Sequence, residues 1–337
     1  MQRLTSAIAL SLTLALPAAA EDFQWAGKTD PQTMDPHAVS SAPVLGFLNN
    51  VYDGLVRMSK TMTLEPSLAE SWEPIGEGEG WRFTLRQGVT FHDGAAFDAD
   101  DVLFSYERAS DESSDVRSWF SPVTEVRVVD DFTVEFYTNA PNPLFPASIA
   151  NWMMMDRGWA EANDAERPDK ETGNFATLNV NGTGAFKLEG RQPGLTTVLV
   201  PNEDWWDEAE HNITKATFTP IQNPATAVAA LLSGDVDFVE PVPIQDAERL
   251  ASNPDVNIIQ GIETRTIMLG FAHEAETLKY GASAGNPNPF RDVRVREAVA
   301  RAINVDAILQ TIWRGSAQPA SQLVTPALSG FSQACLL

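Results

Sequence analysis

Residues 63–111 read TLEPSLAESWEPIGEGEGWRFTLRQGVTFHDGAAFDADDVLFSYERASD, and no other stretch of the chain carries as much structural information. Within it Trp81, Phe83 and Leu85 alternate with Arg82, Thr84 and Arg86, the two-residue period of a strand with one buried and one wet face. A glycine- and glutamate-rich run at 76–80 interrupts the chain just before that strand. Phe91-His92-Asp93-Gly94 reads as a turn, and the helical run after Asp98 puts Val102, Tyr106 and Ala109 on one face. Asp98 and Asp101 are spaced as a capping pair for that helix.

Upstream, Phe23-Gln24-Trp25-Ala26 reads as a strand, followed by a loop in which Asp30-Pro31 and Asp35-Pro36 force extended or turn geometry on both aspartates. Val44, Phe47, Leu48 and Val51 then recur at helical spacing. Downstream, Val126 and Val128, a turn at Asp130-Asp131, and Val134 and Phe136 predict a hairpin. Trp152 with Met153, Met154 and Met155 reads as core, although methionine clusters also line adaptable binding surfaces. Residues 161–174 are polar and read as a linker. Gly182 and Gly184 flank a strand start, as needed where backbones approach closely or φ turns positive.

A strand is expected over 216–220 and a helix from Pro224 to Gly234 with Val228 and Leu231 or Leu232 buried. Strands are expected again over 235–238 and over 264–272, where Ile267, Leu269 and Phe271 alternate. Asp292 caps a helix with Val295, Val299, Ala302 and Ile303 on one face, and Asn304 starts another that carries Ile308 and Ile312 and ends at Gly315.

Composition narrows the function. The 337 residues suffice for about two domains with cores, and 43% apolar content with nine Trp is globular. A formal charge of −23 argues against nucleic acid and anionic membranes, which need clustered Lys and Arg. Residues 1–20 read as a cleaved signal peptide: a positive start at Arg3, an apolar segment over 4–16 too short to span a bilayer, and Ala18-Ala19-Ala20 ahead of Glu21. No Cys follows that cleavage site, so the mature chain is expected free in a periplasm without a lipid anchor, and the lone Cys335 allows no internal disulfide.

Catalytic patterns are weak. Gly281-Ala282-Ser283-Ala284-Gly285 fits a nucleophile elbow, which would make the chain an exported serine hydrolase, but Asn286-Pro287-Asn288-Pro289 forbids the helix such an elbow needs. The four His are scattered, Asp98, Asp100 and Asp101 lack calcium-loop spacing, and no glycine loop is built to cradle phosphate. No enzyme activity, cofactor or metal is expected.

The successions PSLAESW, WRFTLRQGVTFHDG and DADDVLFSYER, then GTGAFKL with NEDWWD, and PFRDVRVREAVARAIN resemble the family 5 extracellular solute-binding proteins of ABC importers, over residues 23–331. The resemblance implies an α/β, two-lobed periplasmic-binding-protein fold (type II, cluster C) with an extra domain in the first lobe. It divides the chain into a signal peptide (1–20), lobe I in two parts (21–58 and 176–262), the extra domain (59–175) and lobe III (263–337). Members of the family run longer, so the second lobe is expected to be incomplete, and a truncated fragment that binds nothing is one reading. By the same resemblance the substrate contacts fall to Asp30, Met34, Thr183, Gly184, Phe218, Arg265, Thr266 and Met268. Asp30 would meet an amino group and Arg265 a carboxylate, which favours short peptides, although Asp30 reads equally as a turn-forming Asp before Pro. An opine, an oligosaccharide or a nickel complex stays open. The implied partners are a peptide or small-molecule ligand and an inner-membrane ABC permease, with the protein a monomer and no nucleic acid bound.

Overall fold

Glu21–Gly27 forms a central strand (β1) because Trp25 and Phe23 can pack on one face while the backbone finds parallel partners on both sides. The computed structural model describes residues 21–332 except Ile262, Ala282 and Ser329, so the predicted signal peptide, Ala282 of the elbow-like motif and Cys335 lie outside the described residues. After β1 come α1 (Ala42–Leu48), β2 (Ala69–Ile75), β3 (Gly80–Leu85), α2 (Ala99–Ser110), β4 (Val123–Asp130) and β5 (Thr133–Thr138). Then follow β6 (Phe186–Gln192), β7 (Thr196–Pro201), β8 (Ile213–Pro220), α3 (Pro224–Ser233) and β9 (Phe238–Glu240).

Two main sheets result. The larger is five-stranded in the order β9-β1-β8-β7-β6, with β1 parallel to both β8 and β9. The smaller is four-stranded and antiparallel, β2-β3-β5-β4, and its strands are inserted in the chain between α1 and β6. Trp25 stacks on Phe47 at 5.3 Å and meets Phe218 edge-on at 5.0 Å, contacts each worth about 0.5–1.5 kcal/mol beyond burial. In the smaller sheet Phe83 and Phe136 pair edge-to-face at 5.6 Å.

The chain divides into two compact units, one holding the described residues up to Arg57 together with Glu65–Pro241, the other Met58–Leu64 and the described residues from Val242 onward. The decisive stretch behaves as its pattern dictates. Asp98 Oδ1 accepts from the Asp100 amide at 2.8 Å and Asp101 Oδ2 from the Asp98 amide at 3.1 Å, while Val102 and Ala109 are buried. Trp152, Met153, Met154 and Met155 are all core. Gly184 is required by close approach, not by φ: a Cβ there would lie 2.5 Å from the Val51 carbonyl carbon.

Three expectations are corrected. The helix carrying Val44 stops at Leu48, and Val51 is buried in the turn beyond it. The strand expected from Asp235 begins only at Phe238, because the Asp235 and Val236 amides are used on the Ala230 carbonyl to close α3. Residues 264–272 form no strand; Ile267, Met268 and Leu269 are exposed, and no described strand offers them a ladder partner. Alternation alone does not make a strand without a neighbour to bond. In this second unit α4 (Ile244–Ala251), α5 (Val293–Ala302) and α6 (Val305–Thr311) form, with Asp292 and Asn304 accepting the first-turn amides of α5 and α6.

Candidate ligand-binding site

In an open α/β sheet ligands are held outside the carboxyl ends of the strands. Here β9, β1 and β8 run in one direction, and β6, two antiparallel steps from β8, shares it, so four strands end on one edge of the first unit. The loop leaving β1 starts on that edge, with the Lys28 amide donating to the Glu240 carbonyl at 3.2 Å and the Ile221 amide to Gly27 at 2.8 Å. Asp30 lies in this loop. Its carboxylate accepts from Arg191 Nη2 at 2.9 Å and Nη1 at 3.4 Å and from the Gly194 amide at 3.1 Å. Arg191, near the end of β6, also donates to Thr197 Oγ1 at 2.7 Å and to the Pro31 carbonyl; its side chain is 2% exposed and that of Asp30 20%.

The other residues assigned by resemblance fall into three groups. Met34 and Phe218 are buried in one core cluster with Trp25 packed against it. Thr183 and Gly184 lie against 51–53, where Thr183 Oγ1 donates to Asp53 at 3.0 Å and the Gly184 amide to the Val51 carbonyl at 3.2 Å. Arg265, Thr266 and Met268 belong to the second unit: Arg265 pairs with Glu263 at 2.9 Å on the surface, Thr266 Oγ1 donates to the Leu323 carbonyl at 3.0 Å, and Met268 is exposed. Asp30 is thus the one assigned side chain that the first unit offers at its strand edge.

Sequence reasoning missed both partners of the Asp-Pro aspartates. Asp35 is bound by Arg108, Nη1 to Oδ1 and Nη2 to Oδ2 at 2.6 Å each, with both side chains fully buried. Burial pushes the Asp35 carboxyl up, but the Arg108 guanidinium and the His37 amide outweigh it and hold it below the ordinary value. His37, whose Nε2 lies 3.0 Å from the Met153 carbonyl, is pushed down to about 3 by burial and by Arg108. Asp101, under its helix cap, is pushed up to about 7 by burial. A buried Asp always demands a partner, which is the only sign these arginines leave in the sequence.

Ser283 sits in an exposed turn with no strand before it and no α-helix directly after it. Among the described residues no three His, Cys, Asp or Glu side chains gather as a metal site, and no helix is long and apolar enough to cross a membrane.

The profile of the bacterial extracellular solute-binding proteins, family 5 (middle region), matches residues 63–334. The glutathione-binding protein GsiB of Salmonella paratyphi A is 27% identical over 318 residues, which is 94% of this chain and 58% of GsiB. The oligopeptide-binding protein AppA of Bacillus subtilis, solved with a nonapeptide, superposes with a TM-score of 0.78 at 20% identity over 93% of this chain and 60% of its own. NikZ of Campylobacter jejuni, solved with Ni(L-His), gives a TM-score of 0.75 at 22% identity over 90% of this chain and 58% of its own. The chain therefore spans under two thirds of the length of the relatives it matches, and its α/β fold is that of these two-lobed type II periplasmic binding proteins. The chain belongs to the family 5 bacterial extracellular solute-binding proteins.

Proposed function

We propose that this chain captures a short peptide in a periplasm, after removal of residues 1–20, and delivers it unaltered to the permease of an ABC importer. The observation that carries this reading is the match along 94% of the chain to a protein named for binding glutathione. AppA, with its bound nonapeptide, supports the peptide class through shared architecture. Lobe I over 21–58 and 176–262, an extra domain over 59–175 and lobe III from 263 would close on the solute. Contacts made only in the closed form would shift the population towards it. The eight residues assigned above are the proposed contact positions, and the protein acts as a monomer.

A ligand that binds only the folded state raises the unfolding midpoint by mass action. Thermal unfolding of the purified chain with di- to pentapeptides should show a concentration-dependent rise, with no rise from an opine or from nickel–histidine. A rise with one of those and none with any peptide would overturn the peptide assignment.

A further inference from the structure

We propose that Arg191 is a positioning residue that clamps the loop after β1 across the strand edge, and that Asp30 serves this clamp instead of meeting a cationic group of the ligand. The geometry is specific. In the order β9-β1-β8-β7-β6 the end of β1 and the end of β6 are three strand spacings apart, about 14 Å. Asp-Pro geometry keeps the chain extended at Asp30, so the loop can run along the edge instead of turning away. Arg191, at the β6 end, reaches it with both Nη atoms on the Asp30 carboxylate and one on the Pro31 carbonyl. The turn between β6 and β7 adds the Gly194 amide, and the loop is fixed again where the Met34 amide meets the Thr177 carbonyl at 3.0 Å.

Two consequences follow from charge. A guanidinium buried to 2% exposure is tolerable only with its carboxylate in place, so the pair holds as a unit. Both Asp30 oxygens are engaged and the charge is matched, so a ligand ammonium arriving there gains little beyond what water gave it.

The test uses the full chain and the variants Asp30→Asn, Arg191→Lys and Arg191→Met, with two readouts. The first is amide exchange at Gly194 and over 28–34, which does not depend on the proposed function. It should accelerate about tenfold in Arg191→Met and in Asp30→Asn, with partial rescue in Arg191→Lys. Unchanged exchange in Arg191→Met and Asp30→Asn overturns the clamp, and Asp30→Asn keeps the test intact if Arg191→Met fails to fold. The second rests on the peptide reading: the ratio of affinities for trialanine and its N-acetylated form. Asp30→Asn should weaken both forms alike and leave the ratio unchanged, and collapse of the ratio would make Asp30 the ammonium anchor and overturn the proposal. If neither peptide binds the unmodified chain, the peptide reading fails and the exchange experiment still decides the clamp.

Discussion

Asp30 and Asp35 stand five residues apart in one loop, each before a proline and each gripped by an arginine from a distant element. Yet the Asp35–Arg108 pair is sealed in the interior, while the Asp30 side of its pair keeps a fifth of its surface in water. The same local sequence thus yields an interior staple and an edge clamp, and burial alone decides how much stability each controls. Removing Arg108 strands the Asp35 carboxylate in the interior, whereas water can reach the Asp30 carboxylate when Arg191 is removed.

The largest effect should therefore come from Arg108→Met, which leaves the Asp35 carboxylate buried and uncompensated. A loss of about 3–5 kcal/mol is expected in denaturant unfolding, and the double variant with Asp35→Leu should recover part of it. If Arg108→Met and Arg191→Met cost the same, the contrast between interior and edge is wrong. Glycines sharpen the same contrast. Gly184→Ala drives a Cβ into the backbone at Val51 and should cost about 1–3 kcal/mol, while Gly190→Ala in β6, with open space at its Cβ, should leave the melting temperature unchanged or slightly raised.

Acid should strike the interior staple first. His37 is held neutral down to about 3, so below its unfolded value of 6.5 the unfolded chain takes up a proton that the folded chain refuses. Its contribution is complete above pH 6.5 and is lost progressively as the pH falls towards 3. Asp101, raised to about 7, works in the opposite sense: it favours the folded state at low pH and loses that contribution as pH rises through 7. His37→Gln keeps a donor for the Met153 carbonyl, so the variant should show a flatter fall of melting temperature between pH 6.5 and 4 than the parent chain. At the small end, Arg265→Ala breaks a pair that is about 60% exposed on both sides and should not move the melting temperature measurably.

Much of this was legible from residues alone. Trp81, Phe83 and Leu85 declare their strand, Asp98 and Asp101 their helix cap, and Gly182 with Gly184 a place where backbones touch, because each of these signals is local. The clamp and the staple were not legible, since Asp30 and Arg191 are 161 positions apart and Asp35 and Arg108 are 73, and no pattern in one sequence pairs them. The run 264–272 shows the converse failure. Ile267, Leu269 and Phe271 carry a strand's period, but a strand exists only through a partner, which periodicity does not report. Met34, Thr183 and Phe218, proposed as ligand contacts by resemblance, are buried in the structure, and the sequence carried no sign of that burial.

Capture without conversion is the heart of the functional reading, and equilibrium dialysis against an isotopically labelled tripeptide tests it most directly. The account predicts saturable retention of one peptide per chain, and chromatography of the released material should return the tripeptide intact. Retention of none of a panel of labelled peptides, or recovery of cleaved product, would contradict it.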